Sequence, residues 1–105
     1  MSEHQSSILK AMHETASGFH KAGVMSEMTM REFDALCLPS IPKYTPIEIK
    51  EIRLDNKASQ TVFAAYLNIS ASTVQKWEQG QKKPNGVALK LLNLVQKRGL
   101  EVLAA

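Results

Sequence analysis

Residues Ser59–Gly80 read SQTVFAAYLNISASTVQKWEQG. This stretch reads as two short helices joined by a tight turn. Ser59 suits the N-cap of the first, because its hydroxyl can accept a free amide at the helix start. Val62, Phe63, Tyr66 and Leu67 follow at helical spacing, with small Ala64 and Ala65 among them. Asn68 stands where the chain must turn sharply, and asparagine tolerates a left-handed backbone better than most residues. Ile69 can plug the turn. Ser70 then caps a second helix, Ala71 to Gln79, with Val74 and Trp77 facing inward and Gly80 as its stop. Two helices this short are not stable alone in water, so they must share a core. The outer face of the second helix holds Ala71, Ser72, Gln75, Lys76 and Gln79. A small, polar face with an amide and a cation suits the DNA major groove. It equally suits an ordinary solvated helix face.

The pattern S-Q-x-x-F-A-x-x-L-x-I-S-x-S-T-V-x-K-W-E-x-G, followed by K-x-P-x-G-x-A, resembles the helix-turn-helix of the Xre/Cro-repressor family. Within that family it is most similar to HigA-type antitoxins, the DNA-binding partners of RelE/ParE-like toxins. The resemblance covers roughly Tyr44 to Leu103. It implies an all-α fold: an Xre/lambda-repressor-like helix-turn-helix bundle of four to five helices, here with an N-terminal helical extension. It also implies roles for individual residues. Ala71, Ser72, Gln75 and Lys76 match the positions that reach base edges. Gln60 matches a position that braces a phosphate, and Ser70, Lys57, Lys82 and Lys83 are further backbone candidates. Arg53 stands where the family carries an arginine paired with the glutamate matching Glu78. Trp77 shares the inward stripe with Val74 and reads as core, not as a stacking platform.

Composition bounds the remaining possibilities. At 105 residues the chain is one small domain plus an appendage. Apolar residues make up 44%, but aromatics only 6%, so the core must rest on Leu, Ile, Val and Ala. The single cysteine, Cys37, excludes an internal disulfide and fits a reducing cytoplasm. No signal peptide and no apolar run of membrane-spanning length is visible, which predicts a soluble cytoplasmic protein. Net charge is +3, unevenly placed. Residues 1–42 hold three cations and five anions; residues 43–105 hold ten cations and five anions. The basic part is the one a polyanion would attract. The acidic part suits a basic partner, as RelE/ParE-like toxins generally are.

Outside the helix-turn-helix, Ser6 to Ala22 reads as an amphipathic helix, with Ile8, Leu9, Met12, Ala16 and Phe19 at helical spacing. Gly23 would end it. His4, His13 and His20 are too widely spaced to be adjacent ligands on one helical turn, and no Cys or Asp/Glu cluster supports them, so no metal is expected. Thr29 with Glu32 has the form of a capping box opening a helix to Leu38, with Met30, Phe33, Leu36 and Cys37 as its apolar stripe. Cys37 reads as a small core hydrophobe. Pro39 and Pro42 make Leu38 to Thr45 an extended linker that Ile41 and Tyr44 can staple to the core. Thr45, Pro46 and Glu48 combine a cap, a first-position proline and a capping box. Ile49, Ile52 and Leu54 then point inward, and the helix ends near Asp55 or Asn56. Asn85 caps a last helix, Gly86 to Arg98, striped by Val87, Leu91, Leu94 and Val95, widened by Ala88 and Leu92, and stopped by Gly99. The apolar tail after Gly99 can cover the core or join a dimer seam.

These readings predict two parts: residues 1–43, a helical extension and linker for toxin binding or dimerisation, and residues 44–105, the DNA-binding domain. One recognition helix reads few base pairs, so a homodimer on an inverted-repeat operator in double-stranded DNA is expected. No cofactor is implied. An enzyme is not expected, because no paired carboxylates, no nucleophile with a base and no phosphate-cradling glycine loop are present. Two functions remain: a repressor that is also the antitoxin of a small basic toxin, or a solitary Xre-family regulator with no toxin partner. In the first, the acidic N-terminal part contacts the toxin, unless residues 1–38 build the dimer and the toxin docks elsewhere.

Overall fold

A computed structural model describes residues 3–21, 23 and 26–104. The expected helix end at Ala22, and the side chains of His4, Phe19 and His20, lie outside the described residues. Among the described residues there are six α-helices and no strand: α1 (Glu3–Lys21), α2 (Glu27–Leu36), α3 (Pro46–Asp55), α4 (Gln60–Leu67), α5 (Ala71–Glu78) and α6 (Gly86–Arg98). A 3-10 turn, Leu100–Leu103, follows. The chain forms two compact units, residues 1–40 and 41–105.

In the first unit α1 packs on α2. Ala16 and Met30 are buried between them. His13 pairs through Nε2 with Asp34 Oδ1, and the Cys37 thiol donates to the Leu9 carbonyl at 2.9 Å. The helix start differs from the sequence reading. α2 is capped by Ser26, whose hydroxyl accepts the Thr29 amide at 3.2 Å, so Thr29 lies inside the first turn and the Thr29–Glu32 box does not form. A hydroxyl three residues earlier captures the same free amide that the box was expected to serve. The helix also stops sooner, with Cys37 as its C-cap, and Leu36 is 56% exposed. The inward line is Met30, Phe33 and Cys37, one position apart in phase from Leu36.

The second unit is built on local signals that all agree. Thr45 accepts the Glu48 amide at 3.2 Å while Glu48 accepts the Thr45 amide at 2.9 Å, and Pro46 occupies the first turn. That backbone hydrogen bond from Thr45 holds the Glu48 carboxyl below its ordinary value. Asn85 Oδ1 accepts the Ala88 amide at 2.9 Å and opens α6. The core gathers Ile49 and Ile52 of α3, Phe63, Ala64 and Leu67 of α4, Val74 and Trp77 of α5, Leu92 and Val95 of α6, and Leu100 of the tail. Tyr44 packs against it and donates to Gln96 Oε1 at 2.7 Å while accepting from Asn93 Nδ2 at 3.0 Å. The linker is thus tied to α6 at its C-terminal end.

In this second unit four apolar residues expected inside lie outside. Leu54, Val62, Tyr66 and Val87 are all exposed. In each helix the inward face is narrower than the apolar content suggests. In α4 the small Ala64 faces the core beside Phe63 and Leu67, and the larger flanking residues stay on the rim. In α6 the buried line is Leu92 and Val95, with Ala88 and Leu91 packed beside it, so Val87 falls on the far side. After Gly99, which takes φ +84, the tail folds back and buries Leu100. Asn56 clamps it: Oδ1 accepts the Leu100 amide at 3.0 Å and Nδ2 donates to the Ile52 carbonyl at 2.8 Å.

Candidate nucleic-acid interface

α4 and α5 make a helix-turn-helix by simple means. Ser59 accepts the Val62 amide at 3.2 Å and starts α4. Asn68 ends it in the left-handed region, φ 56 and ψ 45. The Ile69 amide then returns to the Ala64 carbonyl at 3.0 Å, and Ile69 packs against the core as the turn reverses. Ser70 accepts the Thr73 amide at 3.1 Å, and its hydroxyl also lies 2.8 Å from that of Thr73. Val74 is fully buried and Trp77 nearly so, which sets the rotation of α5 about its axis.

With those two residues inside, Ser72, Gln75 and Lys76 are exposed on α5, and so is Gln79 at its end. Ala71 is half-buried and packs against the core edge. Ser70 is exposed, but its oxygen serves as the helix cap. Lys57 is exposed in the turn before α4 and takes φ 54, an uncommon conformation for a side-chain-bearing residue. Lys82 and Lys83 are exposed in the loop after α5. That loop is folded by backbone alone: Gly80 takes φ +75, and the Gln81 and Lys82 amides both reach the Lys76 carbonyl, at 2.9 and 3.3 Å.

An ion pair locks α5 to α3. Arg53 donates from Nε to Glu78 Oε2 at 2.8 Å and from Nη2 to Oε1 at 2.9 Å, a two-pronged match of planar groups. Both side chains are largely out of water, at 11% and 6% exposure. Arg53 Nη1 also donates to the Ala58 carbonyl at 3.0 Å, and Gln60 Nε2 donates to Glu78 Oε1 at 3.3 Å. Burial pushes the Glu78 carboxyl up, but the hydrogen bonds from Arg53 and Gln60 and the Arg53 charge outweigh it and hold Glu78 below its ordinary value. The hydrogen bond to Glu78 raises Arg53. Gln60, half-buried at the start of α4, therefore spends one amide hydrogen on the brace and keeps a second.

Two features of this face had no signal in the sequence reading. The Ala58 carbonyl and the Gln60 amide complete the brace across 5 and 18 residues, separations at which no helical periodicity applies. Thr61, exposed on the first turn of α4 beside Gln60, joins the polar rim and was not among the candidates. Among the described residues no three His, Cys, Asp or Glu side chains come together as a metal site. No described helix is long and apolar enough to cross a membrane.

A family model described as helix-turn-helix matches residues 49–95, from the middle of α3 to the end of the buried line of α6. Antitoxin HigA-2 of Vibrio cholerae serotype O1 is 47% identical over 53 residues, which is 50% of this chain and 51% of that protein. The match therefore spans about half the length of the curated relative. Both likenesses are to a helix-turn-helix or antitoxin protein and neither is to an enzyme. With a left-handed asparagine between two serine-capped helices and a buried arginine–glutamate brace, residues 49–95 fold as the helix-turn-helix that the family model describes, in a chain half of which is similar to a HigA antitoxin.

Proposed function

We propose that the chain is a sequence-specific DNA-binding repressor and the antitoxin of a type II toxin–antitoxin pair, acting in the cytoplasm. It neutralises a RelE/ParE-like toxin and represses its own operon. The observation that carries the DNA half of this reading is α5 itself. It is held from behind by Val74, Trp77 and the Arg53–Glu78 pair while its Ser72, Gln75 and Lys76 side chains are exposed. Gln75 can accept from and donate to adenine in one plane, and Lys76 can donate to the guanine acceptors. Ser72 supplies a hydroxyl, and the Ala71 methyl suits a thymine methyl. Lys57, Gln60, Ser70, Lys82 and Lys83 hold phosphates on either side, Ser70 through its hydroxyl hydrogen or backbone amide because its oxygen is the cap. Two copies bind an inverted repeat about one helical turn apart, over the promoter, and exclude polymerase.

The toxin half rests on the likeness to a HigA antitoxin and on the acidic balance of residues 1–42. The N-terminal part, residues 1–43, contacts the toxin. A solitary regulator is the second reading, favoured by the start of the family match at residue 49, beyond the N-terminal unit. Capture from the source cell separates them, with the intact chain and a copy lacking residues 1–43 as baits. A small basic protein retained by the intact chain alone supports the antitoxin and its N-terminal contact. Retention by both moves the contact to residues 44–105. No partner on either, with promoter DNA still bound, leaves the solitary regulator.

A further inference from the structure

Lys82 and Lys83 border a cleft of about 460 Å³ within the second unit, and a third cation, Lys43, lines the same cleft. Lys43 comes from the linker ahead of α3, about 40 residues earlier in the chain. The two segments meet where Gly80, at φ +75, lies next to the start of α3: a Cβ built on Gly80 would stand in ordinary contact with Pro46 Cγ, at 3.6 Å. No acidic side chain lines the cleft. The two carboxylates next in sequence to lining residues are already engaged, Glu48 with the Thr45 amide and Glu78 with Arg53. The floor is apolar, from Pro46, Trp77 and Pro84. Lys82 and Lys83 also border a second depression, towards the turn of the helix-turn-helix and α6, but no third cation lines it.

We propose that Lys43 joins Lys82 and Lys83 in one phosphodiester-binding cleft, so that the DNA backbone is gripped by the linker as well as by the loop after α5. The inference rests on the DNA-binding reading above. It adds a contact beyond the helix-turn-helix itself, from a residue outside the 49–95 match. Three lysines lining one cleft with no carboxylate among its lining residues raise the local attraction for an anion, and the apolar lining suits the sugar faces between successive phosphates. Lys43 is exposed, so its removal leaves the core intact.

Backbone contacts are independent of base sequence, so a mixed-sequence duplex serves as the probe, titrated with the full chain at several salt concentrations. Each phosphate contact contributes about 0.9 to the slope of log affinity against log salt. Lys43→Ala should flatten that slope by about 0.9. Lys43→Arg should keep it, and Lys90→Ala, which removes an exposed cation of α6 that does not line the cleft, should leave it as in the parent. A parent slope retained in Lys43→Ala, or an equal loss in Lys90→Ala, overturns the inference while leaving the DNA-binding reading in place. Absence of salt-dependent binding by the parent chain overturns that reading itself. Replacing chloride with inorganic phosphate at constant ionic strength should not weaken binding. Competition by phosphate that disappears in Lys43→Ala would make the cleft a free-phosphate site and overturn the assignment to the DNA backbone.

Discussion

Glu78 takes three hydrogen bonds at 6% side-chain exposure, two from Arg53 and one from Gln60. Removing one partner of such a pair leaves a charge stranded out of water. Arg53→Ala should therefore lower unfolding free energy by about 3–5 kcal/mol in urea titrations. Replacing both, Arg53→Met with Glu78→Leu, should recover most of that loss, because the desolvation cost disappears with the charges. The same pair sets an acid dependence. Glu78 is held below its ordinary value in the folded chain, so its contribution is complete above about pH 4.5 and is lost as pH falls through the folded value. The stability gap between the parent and Glu78→Gln should thus be widest at neutral pH and should narrow below about pH 4.5. Asn68 is the second residue with a single structural task. Its left-handed backbone costs a β-branched side chain about 1–2 kcal/mol, so Asn68→Val should destabilise by that amount, whereas Asn68→Gly should stay close to the parent.

At the scale of the elements, helix ends were legible and helix faces less so. A cap is a contact between residues three apart, so Ser59, Ser70, Thr45 and Asn85 could each be read from a few neighbouring letters. Ser70→Ala should cost about 1 kcal/mol, seen as a lower denaturation midpoint, and should loosen the first turn of α5, where the side chains proposed to read bases begin. Two starts were misplaced: α1 begins at Glu3, three residues before the expected Ser6, and at α2 Ser26 and Thr29 both qualify as caps, so that only the backbone decides which hydroxyl serves. Faces depend on the neighbouring helix. Val62 and Tyr66 have the spacing of a buried stripe, yet α5 and the tail meet α4 along Phe63, Ala64 and Leu67. Val62→Ser should accordingly change stability by less than about 0.5 kcal/mol, while Phe63→Ala should cost about 3–5 kcal/mol.

For the whole molecule, the two units differ in how much they bury. The second encloses a continuous core from α3 to the tail. The first has Ala16 and Met30 as its buried apolar residues among those described, and it exposes Ile8, Met12, Met28, Leu36 and Leu38. Residues 41–105 alone should therefore unfold in one cooperative transition, with coincident fluorescence and circular dichroism curves. Their single tryptophan, Trp77, lies in that core and reports on it directly. Leu100→Ala should cost that fragment about 2–5 kcal/mol, because the tail closes the core instead of leaving it.

What the amino-acid sequence determined by itself is the order of the helices, most of their caps, the left-handed turn and the family pattern. These depend on contacts within a few residues or on a spacing repeated along one helix. The tertiary structure decided which side of each helix is buried, that the tail folds back under Asn56, that Gln60 and the Ala58 carbonyl complete the Arg53–Glu78 brace, and that Lys43 lines one cleft with Lys82 and Lys83. Those outcomes join residues far apart in the chain. They follow from how helices pack around Phe63, Trp77 and Leu92, a choice made by the shape of the whole core and written in no single stretch of it.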